Sequence, residues 1–326
     1  MKYFEPHTRK NHSINNIRFS RYFYWCILLW NHFVLRKRVI KIEPWISVNW
    51  GRVEHNNWGD DINMFFLRKI SSDCLLPGRA LAHPYRIDFI HLPNTEPVFA
   101  IGSIFKLISK PNSIVWGAGL INESLLPEVR PLKVLAVRGP LTRKVLLENG
   151  IDCPAVYGDP ALLLPYYYSP KHIQKKYRVG IIPHYVDEDK EELQQLVGED
   201  SAIVIHMSGY RSWKSVVDQI LSCEYIVSSS LHGLIIAEAY NIPNLWVEIK
   251  EPLIGEVSRR FKFHDFFQSI GLDRKAPYCI TEQTTLSDLY EQKQHYQPAP
   301  GLDLRPLVKV CPFRIKESII RKLNEQ

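Results

Sequence analysis

The sequence predicts an α/β protein in which two doubly wound, Rossmann-like domains enclose a cleft. Short buried apolar runs alternate with segments of helical periodicity along most of the chain, a pattern typical of parallel sheets covered by helices. The alternation occurs twice, on either side of a polar stretch flanked by prolines. The length of 326 residues also exceeds what one ordinary core holds, which favours two domains.

The first half of the chain contains four predicted strands and one clear helix. The strands are the apolar runs 98–102, 113–119, 134–140 and 154–160, which end in glycine or turn residues. The helix is 141–150, with apolar residues on one face and Gly150 at its end. Pro165 and Pro170 bracket polar residues in 162–177, which predicts a linker between the two domains.

The second half repeats this pattern of alternation. Its predicted strands are 178–184, 201–207, 224–230 and 244–249, and its predicted helices are 187–197, 212–222 and 232–241. The chain therefore divides into four predicted units, which are 1–45, 46–168, 175–300 and 301–326. The first is a basic aromatic segment, the next two are the Rossmann-like domains, and the last is a helical tail. Ligands of such domains bind beyond the carboxyl ends of the strands, so we expect the site in the cleft.

Composition excludes several protein classes. A chain with 45% hydrophobic and 23% charged residues is not disordered, collagen-like or built on disulfides. Its six cysteines are far apart and include no C-x-x-C pair, so we interpret them as reduced thiols and expect no zinc site. The net charge of +7 lies entirely in residues 1–40, which leaves a neutral body.

The basic N-terminal segment carries an aromatic run at 22–35. Fourteen helical residues reach about 21 Å, which is shorter than the roughly 30 Å of bilayer hydrocarbon. The segment 18–38 fits a helix lying on an anionic membrane surface, but packing on the protein body or on a partner remains an alternative. A nucleic-acid partner is disfavoured because the body has no net positive field. We therefore predict a cytoplasmic protein, placed at the inner face of the membrane if this segment binds lipid.

Two segments of the first half place unusual residues near strand ends. The segment 54–70 carries three of them before an amphipathic helix, namely Asn57, Gly59 and Asp60. Helix capping alone would explain such residues. The segment 115–124 places Gly117 and Gly119 after a strand, where backbone can approach a ligand closely. It lacks the full G-x-G-x-x-G spacing, so a dinucleotide site is not supported.

Two further segments carry candidate anion ligands. Arg138 ends a buried strand just before Gly139 and Pro140 turn into a helix, which places a cation near free backbone N–H groups. Ser230 closes another buried strand, and His232 opens the apolar helix that follows. A helix dipole, free N–H groups and an imidazole together suit a phosphate or a carboxylate. The alternatives are a surface arginine and a histidine that caps its helix.

These segments, in this order, resemble the polysaccharide pyruvyl transferase family. The matching pieces are NNWGDD, WGAG, VRGPLT, VYGDPAL, GIIPH and SSSLHGLIIAEAYNIP, followed by RRFKFHDFFQSIG. The resemblance covers about residues 48–275. It implies a two-domain fold like that of the glycosyltransferase B class. It also implies transfer of a pyruvyl group from phosphoenolpyruvate to a sugar, which gives a cyclic ketal and free phosphate without a metal or another cofactor.

The resemblance also implies roles for individual residues. On the donor side, Arg138 would hold one anion of phosphoenolpyruvate, and His232 and Lys262 of the second domain would hold the other. On the acceptor side, in the first domain, Asp60 is the candidate base, with Asn57 beside it. A second candidate base is Asp159, although an Asp-Pro after a strand is most often a turn. The acceptor sugar, its attachment to lipid and the oligomeric state remain open.

Two other functions compete with this interpretation. A nucleotide-sugar glycosyltransferase of the same two-domain class would need a carboxylate on the ribose, for which Glu238 is the obvious candidate. A membrane-bound scaffold is disfavoured, because a scaffold gains nothing from chemically active residues at strand and helix ends. Those residues are Asp60, Arg138 and His232.

Overall fold

The structure is a computed structural model that describes residues 26–27, 29–43, 47–49, 52–54, 57–77, 96–184, 186–197, 201–249 and 260–325. Its strands are β1 Val39–Glu43, β2 Ser47–Asn49, β3 Arg52–Glu54, β4 Cys74–Pro77, β5 Pro97–Phe99, β6 Ile114–Trp116, β7 Lys133–Ala136, β8 Tyr177–Ile182, β9 Ala202–Val204, β10 Cys223–Ser228, β11 Asn244–Ile249 and β12 Tyr278–Ile280. Ten of these strands form two five-stranded parallel sheets, and β2 and β3 pair as a separate antiparallel hairpin. The predicted α/β architecture with two parallel sheets is confirmed, while its likeness to the glycosyltransferase B class stays a prediction.

The α-helices of the described part lie between and after the strands. They are α1 Trp58–Phe65, α2 Leu67–Ile70, α3 Pro140–Glu148, α4 Leu164–Tyr167, α5 Glu191–Gln194, α6 Trp213–Leu221, α7 Leu231–Ala239, α8 Phe261–Ser269, α9 Leu286–Glu291, α10 Arg305–Lys309 and α11 Glu317–Asn324. Helix α3 ends as expected, because Gly150 adopts a φ of 69° beyond its last turn.

The two sheets share one strand order. The first is β4-β1-β5-β6-β7 and the second is β12-β11-β10-β8-β9, so in each half the first strand lies between the second and the third. The order therefore reverses between β1 and β5 and again between β8 and β10. Parallel sheets bind ligands at such reversal points, beyond the carboxyl ends of the strands. The chain segments that leave these four strands are the natural places for site residues.

Three predicted boundaries are wrong. Strand β1 lies inside the predicted segment 1–45, and it pairs with both β4 and β5 at the centre of the first sheet. The stretch 154–160 forms a single bridge at Tyr157, because Gly158 at φ 130° and Pro160 end the pairing. The predicted linker 162–177 begins within a buried 3-10 turn, Pro160–Leu163, which runs into α4.

The C-terminal tail is an integral part of the first half. The indole Nε1 of Trp116 donates to the carbonyl of Leu307 at 2.9 Å, which joins a central strand to α10. Arg314 forms an ion pair with the buried carboxylate of Asp73. Helix α11 packs on α4. We infer that residues 301–325 stabilise the first sheet rather than extend from it.

The two halves are joined across the cleft. Trp58 donates its backbone N–H to the carbonyl of Met207 at 2.7 Å and its indole N–H to that of Trp213 at 2.9 Å. The hydroxyl of Tyr210 donates to Asp61 at 2.5 Å. A single apolar cluster of buried side chains also runs through both halves. These contacts fix the start of α1 against the second half.

Candidate active site

Helix α1 begins near the first reversal point, and its first turn carries the carboxylate of Asp60. Asn57 is its N-cap, and the side-chain oxygen of Asn57 accepts from the backbone N–H of Gly59 at 3.1 Å. The amide group of Asn57 donates to Asp60 Oδ2 at 2.9 Å. Burial raises the pKa of Asp60 to about 6, while this hydrogen bond and the charge of Lys262 oppose the rise. Capping and positioning of a candidate base thus occur together.

His232 lies directly against the start of α1. A Cβ atom on Gly59 would overlap the imidazole ring, so only glycine allows α1 and α7 to approach this closely. Gly102 follows β5 at a φ of 109°, and a Cβ there would lie 3.3 Å from Asp60 Oδ1 and 3.9 Å from His232 Cε1. The carboxylate and the imidazole therefore share one wall, although they are far apart in the sequence.

The imidazole of His232 is neutral in the free protein. Burial, together with the smaller effects of Lys262, Arg138 and His184, lowers its pKa to about 3. Its Nε2 atom is buried and has no hydrogen-bond partner among the described residues. A buried polar atom without a partner is rare, and it marks a place where a ligand would complete the hydrogen bonding.

The side chains of Lys262 and His184 also act on the charges of this site. Lys262 acts on both Asp60 and His232, and its Nζ lies 5.2 Å from the ring centre of Phe263. His184 follows β8 at the second reversal point, and its backbone N–H donates to Ser229 Oγ at 2.9 Å. His184 belongs to the segment GIIPH and was not predicted as a site residue. Lys262 and His184 both act electrostatically on the buried imidazole of His232.

Ser230 opens α7 beside this site. It is the N-cap residue, and its side chain makes no capping hydrogen bond, while its backbone N–H donates to Ser228 Oγ at 3.0 Å. The N–H groups of the first helical turn have no partners within the helix, so this turn provides positive potential beside His232. The placement is compatible with the predicted role in substrate binding, which stays a prediction.

Arg138 is fully buried and engaged by the protein itself. Its Nε donates to Asp265 Oδ2 at 3.1 Å, its Nη1 to Ser103 Oγ at 2.6 Å and its Nη2 to the carbonyl of Leu120 at 2.6 Å. Gly119 lies against the guanidinium group so closely that a Cβ would overlap it. The sequence predicted that the guanidinium group of Arg138 binds an anion of the substrate. In the structure Asp265 binds this group, and the role in binding phosphoenolpyruvate stays a prediction that would require an exchange of partners.

Asp265 ties the second half to the first. Besides Arg138, its carboxylate accepts from the backbone N–H of Thr142 at 2.8 Å and from Thr142 Oγ1 at 2.7 Å. It lies on α8, three residues after Lys262, while Thr142 lies in the first turn of α3. Asp265 was not predicted as a site residue, because no local pattern reveals a pair formed between distant helices.

The last two predicted site residues lie where the backbone packs closely against itself, and their part in substrate binding stays a prediction. Gly117 has a φ of 89°, and a Cβ there would overlap the ring of Pro160. Asp159 is completely buried and caps the 3-10 turn, its Oδ1 accepting from the N–H of Ala161 at 2.9 Å. Burial raises its pKa to about 6. Its Oδ2 is buried and has no hydrogen-bond partner among the described residues, and its role as the second candidate base stays a prediction.

The described residues contain no group of three or more histidine, cysteine, aspartate or glutamate side chains placed to hold a metal ion. The geometry instead brings a carboxylate, a neutral imidazole and an ammonium group together between two parallel sheets. The family model for polysaccharide pyruvyl transferases matches residues 7–251, about three quarters of the chain.

The chain belongs to the polysaccharide pyruvyl transferase family. It is 31% identical to an uncharacterized protein of Acanthamoeba polyphaga mimivirus over 204 residues, which are 60% of this chain and 68% of the viral protein. It is 25% identical to the succinoglycan biosynthesis protein ExoV of Rhizobium meliloti over 228 residues, 67% of this chain and 63% of that protein.

Family membership makes the chain a transferase in its general class. The matched range also differs from the predicted resemblance, which covered about residues 48–275. The match begins at residue 7, so most of the basic N-terminal segment belongs to the family region instead of lying outside it. It ends at residue 251, before Lys262 and Asp265. The importance of these two residues therefore depends on the structure.

The rival nucleotide-sugar interpretation lacks its key residue. Glu238 is buried on α7, and Arg274 Nη2 donates to its Oε1 at 2.7 Å. Asn244 donates to the same oxygen at 2.8 Å, and the hydroxyl of Tyr296 donates to the other at 3.2 Å. A carboxylate with these partners already in place is not free to bind a ribose. This arrangement disfavours the glycosyltransferase alternative.

Proposed function

We propose that this protein transfers the pyruvyl group of phosphoenolpyruvate to a sugar of a polysaccharide precursor, forming a cyclic ketal and releasing phosphate. The observation that carries the proposal is the shared wall of Asp60 and His232 at Gly102, with Lys262 acting on both. Phosphoenolpyruvate is a substrate in this scheme, and no other cofactor takes part.

The reaction requires one proton to be delivered and two to be removed. A proton added to the methylene carbon gives an oxocarbenium-like centre, which one sugar hydroxyl attacks before phosphate leaves. A second hydroxyl then closes the ketal. Of the two hydroxyl protons, one replaces the proton given to the methyl group and the other leaves with phosphate. A base, an acid and fixed positive charge therefore suffice for the chemistry.

His232 is the proposed acid, and its low pKa in the free protein explains how it would act. A neutral, buried imidazole neither repels the neighbouring cations nor carries a proton at pH 7. Phosphoenolpyruvate brings negative charge beside it, which raises its pKa and draws in a proton. Lys262 and the first turn of α7 would bind the phosphate and the carboxylate. Donor binding and protonation of His232 are then one coupled event.

Asp60 is the proposed base for the acceptor. With a pKa of about 6 it is mostly ionised at pH 7, yet basic enough to accept a hydroxyl proton. The hydrogen bond from Asn57 fixes the orientation of its carboxylate. This side chain belongs to the first half of the chain, whereas His232 and Lys262 belong to the second. Donor and acceptor would therefore meet between the two sheets.

The role of Asp60 predicts a pH dependence. At saturating phosphoenolpyruvate, we expect kcat/KM for the acceptor to fall on the acid side with an apparent pKa at or above about 6. Protonation of Asp60 below that pKa removes the base, and the negative donor can only raise the pKa further. The measurement is a pH profile of phosphate release between about pH 5 and about pH 8.

Asp61→Asn is the matched control for this profile. Asp61 follows Asp60 in the chain and has a pKa raised to about 6 by burial, but its carboxylate accepts from Tyr210 instead of facing the imidazole. The acid limb should persist in this variant. A wild-type profile that is flat over the range, or a limb that vanishes in Asp61→Asn, would contradict the role of Asp60.

A further inference from the structure

The described part of the aromatic N-terminal run has two faces. Its helical turn, Trp30–Val34, follows Ile27 and Leu29, which pack against the buried Val39 and Leu76. Three apolar side chains on the other side are more than half exposed, namely Trp30, Phe33 and Val34. Packing on the body thus accounts for one face of the segment and leaves the aromatic face uncovered. The remainder of the run, 22–25 and 28, lies outside the described residues.

Basic side chains surround this aromatic face. Arg36 and Lys37 follow it directly and are exposed. Arg38 donates to the carbonyl of Pro312 and lies 4.0 Å from Asp73, to which Arg314 is also bound. We call this surface the basic–aromatic patch. It consists of Trp30, Phe33, Val34, Arg36, Lys37, Arg38 and Arg314.

The patch carries more positive charge than its own acid can neutralise. Asp73 is the carboxylate bound to two of its arginines, and its side chain is fully buried beneath them. Lys37 and Arg68 are close enough to act on the thiol of Cys74, opposing the rise that burial causes in its pKa. Cations thus crowd the turn that leads into β4. The exposed groups of the patch are therefore aromatic, aliphatic or cationic.

We propose that the basic–aromatic patch docks the protein on an anionic phospholipid bilayer. Tryptophan and phenylalanine beside arginine and lysine match the chemistry of the bilayer interface, where rings enter the headgroup region and cations meet phosphates. No described helix is long and apolar enough to cross a membrane. A nucleic acid fits less well, because the body beyond residue 40 has no net positive charge to follow a phosphate backbone.

The docking does not depend on the proposed reaction. If both hold, they set a minimum length for the oligosaccharide of a lipid-attached acceptor. The patch lies at the amino ends of β1 and β4, whereas Gly102 and the candidate site lie beyond the carboxyl ends of the same sheet. The five residues of β1 span about 17 Å. A lipid-attached acceptor would therefore need an extended oligosaccharide to reach Asp60 from a bilayer bound at the patch.

Co-sedimentation of the full-length protein with vesicles tests the docking. We expect binding to vesicles that contain phosphatidylglycerol, little binding to pure phosphatidylcholine, and release as salt is raised. Arg36→Glu with Lys37→Glu should weaken binding at least about tenfold, and Trp30→Ser with Phe33→Ser should do the same. A truncation of residues 1–45 is unsuitable, because it removes β1 from the centre of the first sheet.

Matched substitutions elsewhere serve as controls. Lys171 and Lys176 are exposed lysines of the second half, and Leu132 is 60% exposed on the first. Lys171→Glu with Lys176→Glu, and separately Leu132→Ser, should leave vesicle binding unchanged. Equal binding by the patch variants and wild type would overturn the proposal, as would equal binding to both kinds of vesicle. Salt-sensitive binding to duplex DNA without vesicle binding would also overturn it.

Discussion

Replacing His232 by alanine is expected to lower kcat at least about a hundredfold while the protein stays folded, since a positioned acid contributes a factor of this size. A Cβ on Gly59 would overlap the ring, and the buried Nε2 has no hydrogen-bond partner among the described residues. Removal of the ring opens space in the site without leaving a new polar group unsatisfied. Steady-state phosphate release and thermal unfolding together measure the two effects.

His232→Gln separates proton transfer from simple ligand binding. Glutamine can donate and accept hydrogen bonds but does not titrate. If His232 is the acid, this variant should bind phosphoenolpyruvate with an affinity near that of wild type and still lose kcat. His295→Ala is the control, since His295 is exposed in the C-terminal part and no site residue contacts it. Full activity in His232→Gln would remove His232 from proton transfer.

Replacing Asp265 by alanine is expected to destabilise the protein by about 3–5 kcal/mol, because it leaves Arg138 buried without its counter-charge. The change also removes the acceptor for both the N–H and the hydroxyl of Thr142, so α8 loses its attachment to α3. Lys262 lies on α8 and would lose its fixed position at the site. Urea denaturation gives the change in the free energy of unfolding.

Two variants define what this result means. Asp273→Ala breaks the exposed ion pair with Lys275 and should change stability by less than about 1 kcal/mol. Asp265→Asn keeps the shape but not the charge, so we expect an intermediate loss. If α8 positions Lys262, the folded Asp265→Asn variant should show a raised KM for phosphoenolpyruvate and a smaller change in kcat. A loss below about 1 kcal/mol in Asp265→Ala would contradict the buried pair as a tie between the halves.

The sequence predicted the two-sheet architecture because buried strands and amphipathic helices have different periods. It failed at β1, since the short run VIKIE follows three basic residues and was assigned to the charged tail. It also failed at 154–160, where apolar residues favoured a strand and Gly158 with Pro160 ended one after a single bridge. Local composition cannot weigh such effects, because pairing depends on neighbours that are distant in the chain.

The sequence predicted which residues form the candidate site, but not which of them contact one another. Asp60 and His232 were proposed from their positions at helix starts, but only the fold shows that both lie against Gly102. The same limit explains Arg138, whose charge suggested an anion ligand while its partner Asp265 lies on another helix. Burial decides the pKa of each group, and burial is a property of the assembled fold.

Calorimetric titration of the full-length protein with phosphoenolpyruvate and, separately, with UDP-glucose tests the central claim without knowledge of the acceptor. We expect saturable binding of phosphoenolpyruvate, with an affinity reduced at least about tenfold in Lys262→Ala. The observed binding enthalpy should vary with the ionisation enthalpy of the buffer, because binding takes up a proton. We expect no binding of UDP-glucose, because Glu238 is held by Arg274. Binding of UDP-glucose without binding of phosphoenolpyruvate would contradict the central claim.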